Sequence, residues 1–173
     1  MPKIKPNEIH TPRLRLGPVE EAQREAVIEL ITHPEVGKTY MVPNFTCRAD
    51  MDRVYEKYHQ LSHMPERFVY GIYLGDTLVG LMNDVCVENG TIELGYLVHP
   101  RHHNQGFATE ALAAAIETLF RMGYPTVRTG AFPENRPSIR VMEKNGMTRL
   151  ELTEDVEYRG QVYRCVLFEK QAP

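Results

Sequence analysis

A strand, a short polar turn and a helix follow one another without interruption in the middle of the chain, and this unit constrains the fold more than any other feature. The strand is predicted over Ile92 to Val98, and the turn over residues 101–106. Apolar residues on one helical face then recur at Ala108, Leu112, Ala115, Ile116 and Leu119. Gly123 and Pro125 end this helix, and the β-rich run Thr126 to Phe132 follows directly. A crossover of this length predicts two parallel strands.

Two helices are predicted ahead of this unit. They span Glu20 to Thr32 and about Asp50 to Ser62, where apolar residues recur at helical spacing. The segment between them, His33 to Arg48, is predicted to be irregular, and its length favours a binding loop. Leu14 to Leu16 alternates in polarity and predicts a short strand before both helices.

The segment between the helical pair and the central unit has the pattern of an antiparallel meander. Three consecutive strands are predicted, over Phe68 to Leu74, Thr77 to Val87 and Thr91 to Val98. Asn89-Gly90 favours a type I′ hairpin between the last two, because both residues tolerate a positive φ.

The C-terminal part is predicted to contain a short helix and a hairpin. Asn135 to Ser138 opens the helix and Gly146 ends it. Strands around Thr148 to Leu152 and Val162 to Glu169 then pair through a turn at residues 158–161. The chain is therefore expected to form a single domain over residues 1–173. Its class is α+β with three layers, in which a mixed, mostly antiparallel central sheet carries helices on both faces.

Composition and charge exclude several classes of function. The chain of 173 residues has a formal net charge of −3, which gives no bulk attraction to nucleic acid or to an anionic membrane. No apolar run approaches the roughly 18 residues of a membrane span, and no signal peptide is apparent, so a cytoplasmic protein is expected. The three cysteines form no CxxC pair, and His99, His102 and His103 lack carboxylate or cysteine partners at ligand spacing. No metal is therefore predicted.

The turn at residues 101–106 has the character of an anion site. Unpaired N–H groups and the helix dipole favour negative charge where a helix begins. Gly106 permits close approach to a phosphate, and Asn104, Gln105 and Thr109 offer polar side chains. A pyrophosphate is the expected ligand. The chain has neither the GxGxxG of dinucleotide folds nor the Gly-Lys-Ser/Thr of a Walker loop.

These residues resemble a known family. His103-Asn104-Gln105-Gly106-Phe107-Ala108, followed by Thr109, is similar to the coenzyme A loop of the GNAT acetyltransferases, whose pattern is Gln/Arg-x-x-Gly-x-Gly/Ala. The segments Asn135 to Met147 and Thr11 to Leu16 resemble the Rim-type branch, which contains ribosomal-protein N-terminal acetyltransferases. The resemblance implies the GNAT fold, acetyl-CoA as co-substrate, and direct attack of an amine on the thioester in a ternary complex.

The resemblance also implies roles for individual residues. Glu93 is the candidate general base, with an edge-strand surface charge as the alternative. Backbone groups of Leu97 and Val98 are expected to pair with the pantetheine arm, and the Val98 N–H to bind the oxyanion. Ser138 is the candidate partner of the leaving thiolate and Asn135 of the pantetheine amide. Both residues also have helix-capping alternatives.

Two positions depart from the family pattern. The first position of the loop, usually Gln or Arg, is His103. Many GNAT enzymes carry a tyrosine seven residues after the Asn as general acid, and this chain has Met142 there. Tyr96 and Tyr163 are weaker candidates for the acid, since a core position is the competing interpretation of each.

The acceptor is expected to bind between the first two helices and the final hairpin. Candidate lining residues are Tyr40, Met41, Phe45, Asp84 and Tyr158. A peptide N-terminal amine is the first choice by family analogy, and a small amine such as an antibiotic, polyamine or amino acid is the second. A non-catalytic acyl-CoA-binding module and a mononucleotide-binding protein stay open as other classes. An edge strand near the C-terminus makes a homodimer a further expectation.

Overall fold

We describe the fold from a computed structural model of residues 2–173. Eight strands form one sheet in the order β1-β2-β3-β4-β5-β6-β8-β7. The strands are β1 (Ile9–His10), β2 (Arg15–Gly17), β3 (Tyr70–Leu74), β4 (Thr77–Glu88), β5 (Thr91–Val98), β6 (Thr126–Ala131), β7 (Thr148–Tyr158) and β8 (Gln161–Gln171). The helices are α1 (Arg24–Thr32), α2 (Pro34–Thr39), α3 (Arg48–Ser62), α4 (Phe107–Arg121) and α5 (Arg136–Lys144). Short 3-10 turns precede α1 and α4.

The sheet is mixed and mostly antiparallel, as predicted. Its one parallel pair is β5 with β6, where residues 91–94 lie beside residues 126–129. The helix α4 connects these two strands, so the predicted crossover is confirmed. The other neighbouring strands pair antiparallel.

Two apolar clusters cover the two faces of the sheet. The α4 cluster combines Leu112 and Leu119 of α4 with Met142 of α5 and with Ile92 and Leu94 of β5. The α1–α3 cluster combines residues on the other face: Val27, Leu30, Tyr55, Tyr73, Leu81 and Leu97. Neighbouring side chains of a strand point to opposite faces, so even-numbered β5 residues 92 and 94 serve one cluster and Leu97 serves the other. The predicted three-layer arrangement is therefore confirmed.

The predicted hairpin turns are present. Asn89 and Gly90 have φ angles of 50° and 81°, and Arg159 and Gly160 have 51° and 78°. Asn-Gly needs little energy to adopt this left-handed backbone, which explains why the first turn was readable from the sequence.

Two predictions about local structure were wrong. Residues 34–39 form the helix α2, where an irregular segment was expected; His33 caps it by accepting a hydrogen bond from the Glu35 N–H at 3.2 Å. The strands of the final hairpin are also longer than predicted, because β7 runs to Tyr158. Most of β7 is exposed, although Leu150, Leu152, Val156 and Tyr158 alternate with polar residues, so its pairing with β8 rather than burial defines it.

Within residues 2–173, no helix combines the length and apolar character that crossing a bilayer requires. The sheet ends at β1 on one side and β7 on the other. The C-terminal hairpin thus supplies an edge strand, and pairing of that edge in a homodimer stays a prediction.

Candidate active site

The two parallel strands separate in the middle of the sheet and open a cavity. Their pairing ends at Leu94 and Thr129. Beyond this point β5 continues beside β4 as far as Val98, and β6 continues beside β8 as far as Ala131. A cavity of about 860 Å³ lies at the opening, lined by both strands and by residues of α2, α4 and α5. An extended ligand that enters here can pair with the free edge of a strand.

Alternation along β5 decides which backbone groups face this opening. The His99 N–H donates to the Val79 carbonyl on β4 at 2.7 Å, so the groups of Val98 point to the opposite edge. Consistently, the Val98 carbonyl accepts a hydrogen bond from His103 Nε2 at 2.7 Å. Leu97 instead lies opposite Leu81, and a Cβ on Gly80 would collide with its carbonyl. The backbone groups of Leu97 therefore face β4, although Leu97 lines the cavity, whereas those of Tyr96 and Val98 face the opening.

The turn before α4 presents the start of the helix to the cavity. Asn104 and Gly106 have positive φ angles of 61° and 81°, which bend the chain sharply into the helix. Seven residues of the turn and the first helical turn line the cavity: His102, His103, Asn104, Gly106, Phe107, Ala108 and Thr109. Gln105 does not line it, and its carbonyl is bonded elsewhere. Helix N–H groups and the helix dipole make this end of the cavity attractive to an anion.

Arg13 holds this turn from outside and was missed as a site residue. Its Nη1 donates to the Gln105 carbonyl at 2.8 Å, and its Nε donates to Glu110 Oε2 at 2.8 Å. The guanidinium also lies over the Phe107 ring, 4.5 Å from its centroid. Glu110 stands in the first turn of α4, so its pairing with Arg13 removes a charge that would oppose an anion there. This role was not predictable from the sequence, because Arg13 and Glu110 are 97 residues apart.

Basic side chains on α5 extend the cationic end. Arg136, Arg140 and Lys144 follow one another at intervals of four and all line the cavity. Asn145 Nδ2 donates to the Thr109 carbonyl at 3.3 Å, so the end of α5 lies against the first turn of α4. Polyanionic ligands are thus favoured at this end.

Carboxylates line the cavity at the paired end of β5, where Glu93 and Glu154 are close enough for their charges to interact, and Glu35 of α2 lines it as well. Glu93 lies on β5, which runs between β4 and β6, so the edge-strand interpretation of this residue is wrong. Burial raises the pKa of the Glu93 carboxyl, the nearby Glu154 charge raises this pKa further, and Arg128 opposes the rise. The Cys86 thiol donates to Glu93 Oε2 at 3.7 Å. Glu154, on β7, also lines the cavity and was not anticipated. A carboxylate with a raised pKa is suited to accept a proton near neutral pH.

Hydroxyl groups lie where the two strands separate. Tyr96 Oη lies 3.0 Å from Ser138 Oγ, and both residues line the cavity. Burial raises the pKa of Tyr96 to about 12, and the Ser138 hydroxyl opposes the rise. The buried Thr129 hydroxyl approaches Tyr96 as well but makes no well-formed hydrogen bond within residues 2–173.

Helix capping and ligand binding were the two interpretations of Asn135 and Ser138, and the start of α5 distinguishes between them. Asn135 Oδ1 accepts a hydrogen bond from the Ser138 N–H at 3.3 Å, so Asn135 is the N-cap of the helix and also lines the cavity. The Ser138 hydroxyl is directed to Tyr96 and is not used for capping. Met142 is fully buried in the α4 cluster. Tyr163 stacks on Phe132 and does not line the cavity. Its hydroxyl is therefore not placed to act as the general acid.

Only part of the predicted acceptor groove lines the cavity. Tyr40 and Met41 do so, and Tyr40 Oη donates to Asn83 Oδ1 at 2.6 Å. The predictions for the three others were wrong. Asp84 is buried and paired with Arg67 at 2.7 Å, and the Tyr158 hydroxyl donates to the Gly37 carbonyl at 2.7 Å. Phe45 packs against the α1–α3 cluster.

Known proteins that are similar to this chain are described as acetyltransferases. An uncharacterised N-acetyltransferase p20 of Bacillus licheniformis is 27% identical over 166 residues, which cover 92% of this chain and 93% of that protein. A GNAT-family acetyltransferase structure from Bacillus anthracis superposes with a TM-score of 0.82 at 26% identity, covering 95% of this chain and 98% of that one.

Two further structures share the fold at lower identity. The microcin C7 self-immunity acetyltransferase MccE, solved with acetyl-CoA and AMP, has a TM-score of 0.82 at 17% identity, covering 98% of both chains. RimL, a ribosomal L7/L12 α-N-protein acetyltransferase, has a TM-score of 0.80 at 18% identity, covering 97% of this chain and 93% of that one. The family profile described as "Acetyltransferase (GNAT) domain" matches residues 13–148. Since this match spans well over half of the chain, the protein belongs to the GNAT family of acetyltransferases.

Proposed function

We propose that the protein transfers the acetyl group of acetyl-CoA to a cationic primary amine, by direct attack within a ternary complex. The observation that carries this proposal is one cavity with a cationic end and an anionic end, joined where β5 and β6 separate. A phosphate-bearing co-substrate suits the first end and an amine suits the second. The two substrates then meet beside the free edge of β5.

The cationic end fits the phosphates of coenzyme A. The start of α4, from His103 to Thr109, receives the diphosphate, and the basic side chains of α5 face the remaining phosphate charge. The pantetheine arm runs along the edge of β5 at Tyr96 and Val98, with Asn135 on the other side. Acetyl-CoA bound to MccE, which shares the fold, supports the choice of co-substrate.

Glu93 is the proposed general base, directly or through a water molecule. α-Amino groups titrate near 8 and lysine near 10.4, so an amine substrate arrives mostly protonated. The raised pKa of Glu93 brings the carboxylate closer to the pKa of the amine and improves proton transfer. The Val98 N–H, which points into the opening, is positioned to bind the oxyanion that forms.

Ser138 and Tyr96 are the proposed source of the proton for the leaving thiolate. Met142, where many family members have an acidic tyrosine, is buried and carries no proton. The Tyr96 and Ser138 hydroxyls lie 3.0 Å apart on the co-substrate side of the opening. The Ser138 hydroxyl can donate to the sulfur as it takes a proton from Tyr96, and the Tyr96 phenolate then regains a proton from water.

A peptide N-terminal amine is our preferred acceptor, and a small cationic amine is the alternative. RimL, which shares the fold, is named as a protein α-N-acetyltransferase, and MccE, which also shares it, is named as a microcin C7 self-immunity acetyltransferase. Glu93 and Glu154 favour a positively charged acceptor of either kind.

An amine panel tests the activity. Short peptides with free N-terminal Ala or Ser should release the coenzyme A thiol from acetyl-CoA, whereas the same peptides with blocked N-termini should not. Glu93→Gln should lower the rate about 10²–10⁴-fold at neutral pH while acetyl-CoA binding, measured by calorimetry, is retained. Turnover confined to small amines would reject the peptide assignment, and binding without turnover on any amine would reject catalysis.

The pH profile separates Glu93 from Glu154. Since the Glu154 charge raises the pKa of Glu93, Glu154→Gln should lower that pKa. A base must be deprotonated to act, so the acidic limb of the kcat/KM profile should move to lower pH. Glu151→Gln, an exposed change on the same strand, should leave the limb in place. A rate loss in Glu154→Gln as large as in Glu93→Gln would instead assign the base to Glu154.

A double-mutant cycle tests the hydroxyl pair. Ser138→Ala keeps the backbone N–H that Asn135 caps, and it should lower kcat about tenfold to hundredfold, as should Tyr96→Phe. If both act in one proton path, the double variant should lose no more than the worse single variant. Tyr163→Phe is the matched control and should leave kcat unchanged. If the fold losses in kcat of the two single variants multiply in the double variant, or if the single variants have unchanged kcat, the proposed proton path through Tyr96 and Ser138 is wrong.

Arg13 is expected to support co-substrate binding without touching the ligand. Arg13→Gln should raise the Kd for coenzyme A about tenfold, equivalent to about 1.4 kcal/mol, because the turn loses its brace and Glu110 its counter-charge. Arg15→Gln is the matched control, since Arg15 lies over Tyr73 in the same N-terminal segment. Calorimetry gives both constants, and an equal Kd in the two variants would contradict the assigned role.

A further inference from the structure

Two histidines and a carboxylate meet at a surface away from the cavity. His59 and His63 lie on the last turn of α3, four residues apart and therefore on one face. Their ring centroids are 4.8 Å apart. Glu20, which precedes α1, lies beside them, and one ligand atom from each of the three residues falls within 4.8 Å of the others. None of the three lines the cavity.

A backbone hydrogen bond orients His63 for coordination. His63 Nδ1 lies 2.7 Å from the His59 carbonyl, and because a carbonyl only accepts, Nδ1 carries the proton. In the neutral ring Nε2 then carries the lone pair that a metal needs. This Nε2 lies 3.4 Å from Glu20 Oε1, close to the roughly 3.3 Å that separates two ligands of a tetrahedral zinc ion with bonds of about 2.0 Å.

The surrounding charges favour a cation at this position. The C-terminal end of α3 carries the negative end of the helix dipole, and Glu56 precedes His59 by three residues on the same helix. The nearest guanidinium, that of Arg24, is itself bonded to Glu21 and Glu56, so its charge is offset.

We infer that Glu20, His59 and His63 bind a divalent transition-metal ion, with zinc as the ion that suits two imidazoles and one carboxylate. Glu20 and His63 are exposed and His59 is half-buried, so water has access to complete the coordination. The ion joins the end of α3 to the segment that leads into α1. Because the ligands converge only in the folded chain, binding stabilises the fold by mass action.

Zinc binding to the folded protein tests this site. After treatment with EDTA and dialysis, ZnCl2 should raise the melting temperature, and calorimetry should give one ion per chain, whereas MgCl2 should have no effect. Glu20→Gln and His63→Ala should each weaken zinc binding at least about tenfold. His10→Ala removes another exposed histidine that also contacts a glutamate, and it should bind zinc as the unmodified chain does.

The same variants show which results would contradict the proposed zinc ligands. If His63→Ala does not fold, Glu20→Gln alone carries the test, because it keeps the shape of the side chain. Zinc affinity that is unchanged in Glu20→Gln, or lost instead in His102→Ala beside the cavity, would overturn the site. Absence of any zinc-dependent rise in melting temperature in the unmodified chain would overturn it as well.

Discussion

The separation of β5 from β6 is the constraint on which the rest of the site depends. Each strand keeps its outer neighbour, so the sheet stays continuous while its centre opens beyond Leu94 and Thr129. A buried backbone group without a partner costs about 1–3 kcal/mol, so such an opening favours a ligand that supplies hydrogen bonds in an extended form. His103 satisfies the Val98 carbonyl, and the missing side chain at Gly80 lets β4 support β5 closely at this point. The opening is therefore built into the sheet by specific contacts on either side of it.

Charge is divided between the two ends of the cavity that this opening creates. The start of α4 and the basic side chains of α5 lie at one end, and Glu93 and Glu154 lie at the other. Arg13 helps to keep the start of α4 free of negative charge, because it pairs with Glu110, the one acidic residue in the first turn of that helix. This separation of charge would let a polyanion and a cation occupy one cavity without competing. This is the electrostatic requirement of a ternary complex, in which both substrates must be present before the acetyl group moves.

The sequence predicted the features that depend on short-range signals. The strand-turn-helix unit, its parallel crossover, the Asn89-Gly90 hairpin and the cap at Asn135 all follow from neighbouring residues. The features that it missed depend on distant contacts. Arg13 reaches Glu110 across the fold, Asp84 is drawn into the core by Arg67, and Glu154 reaches the cavity only because β7 pairs along its length with β8. Backbone direction at Leu97 likewise required the register of β4, which no pattern of residue types encodes.

The alternation of β5 bears on the proposed proton donor, because position 142 carries methionine in place of a tyrosine. Glu93 and Gly95 share the face that carries Leu97, and a Cβ on Gly95 would lie 3.7 Å from the Tyr40 ring on the acceptor side. Tyr96 is on the other face with Ile92 and Leu94, towards α5 and Ser138. One strand thus places the proposed base on one side of the opening and a hydroxyl pair on the other. In the proposed reaction the amine approaches and the thiolate departs on opposite faces, so the proton acceptor and the proton donor act without competing for the same proton.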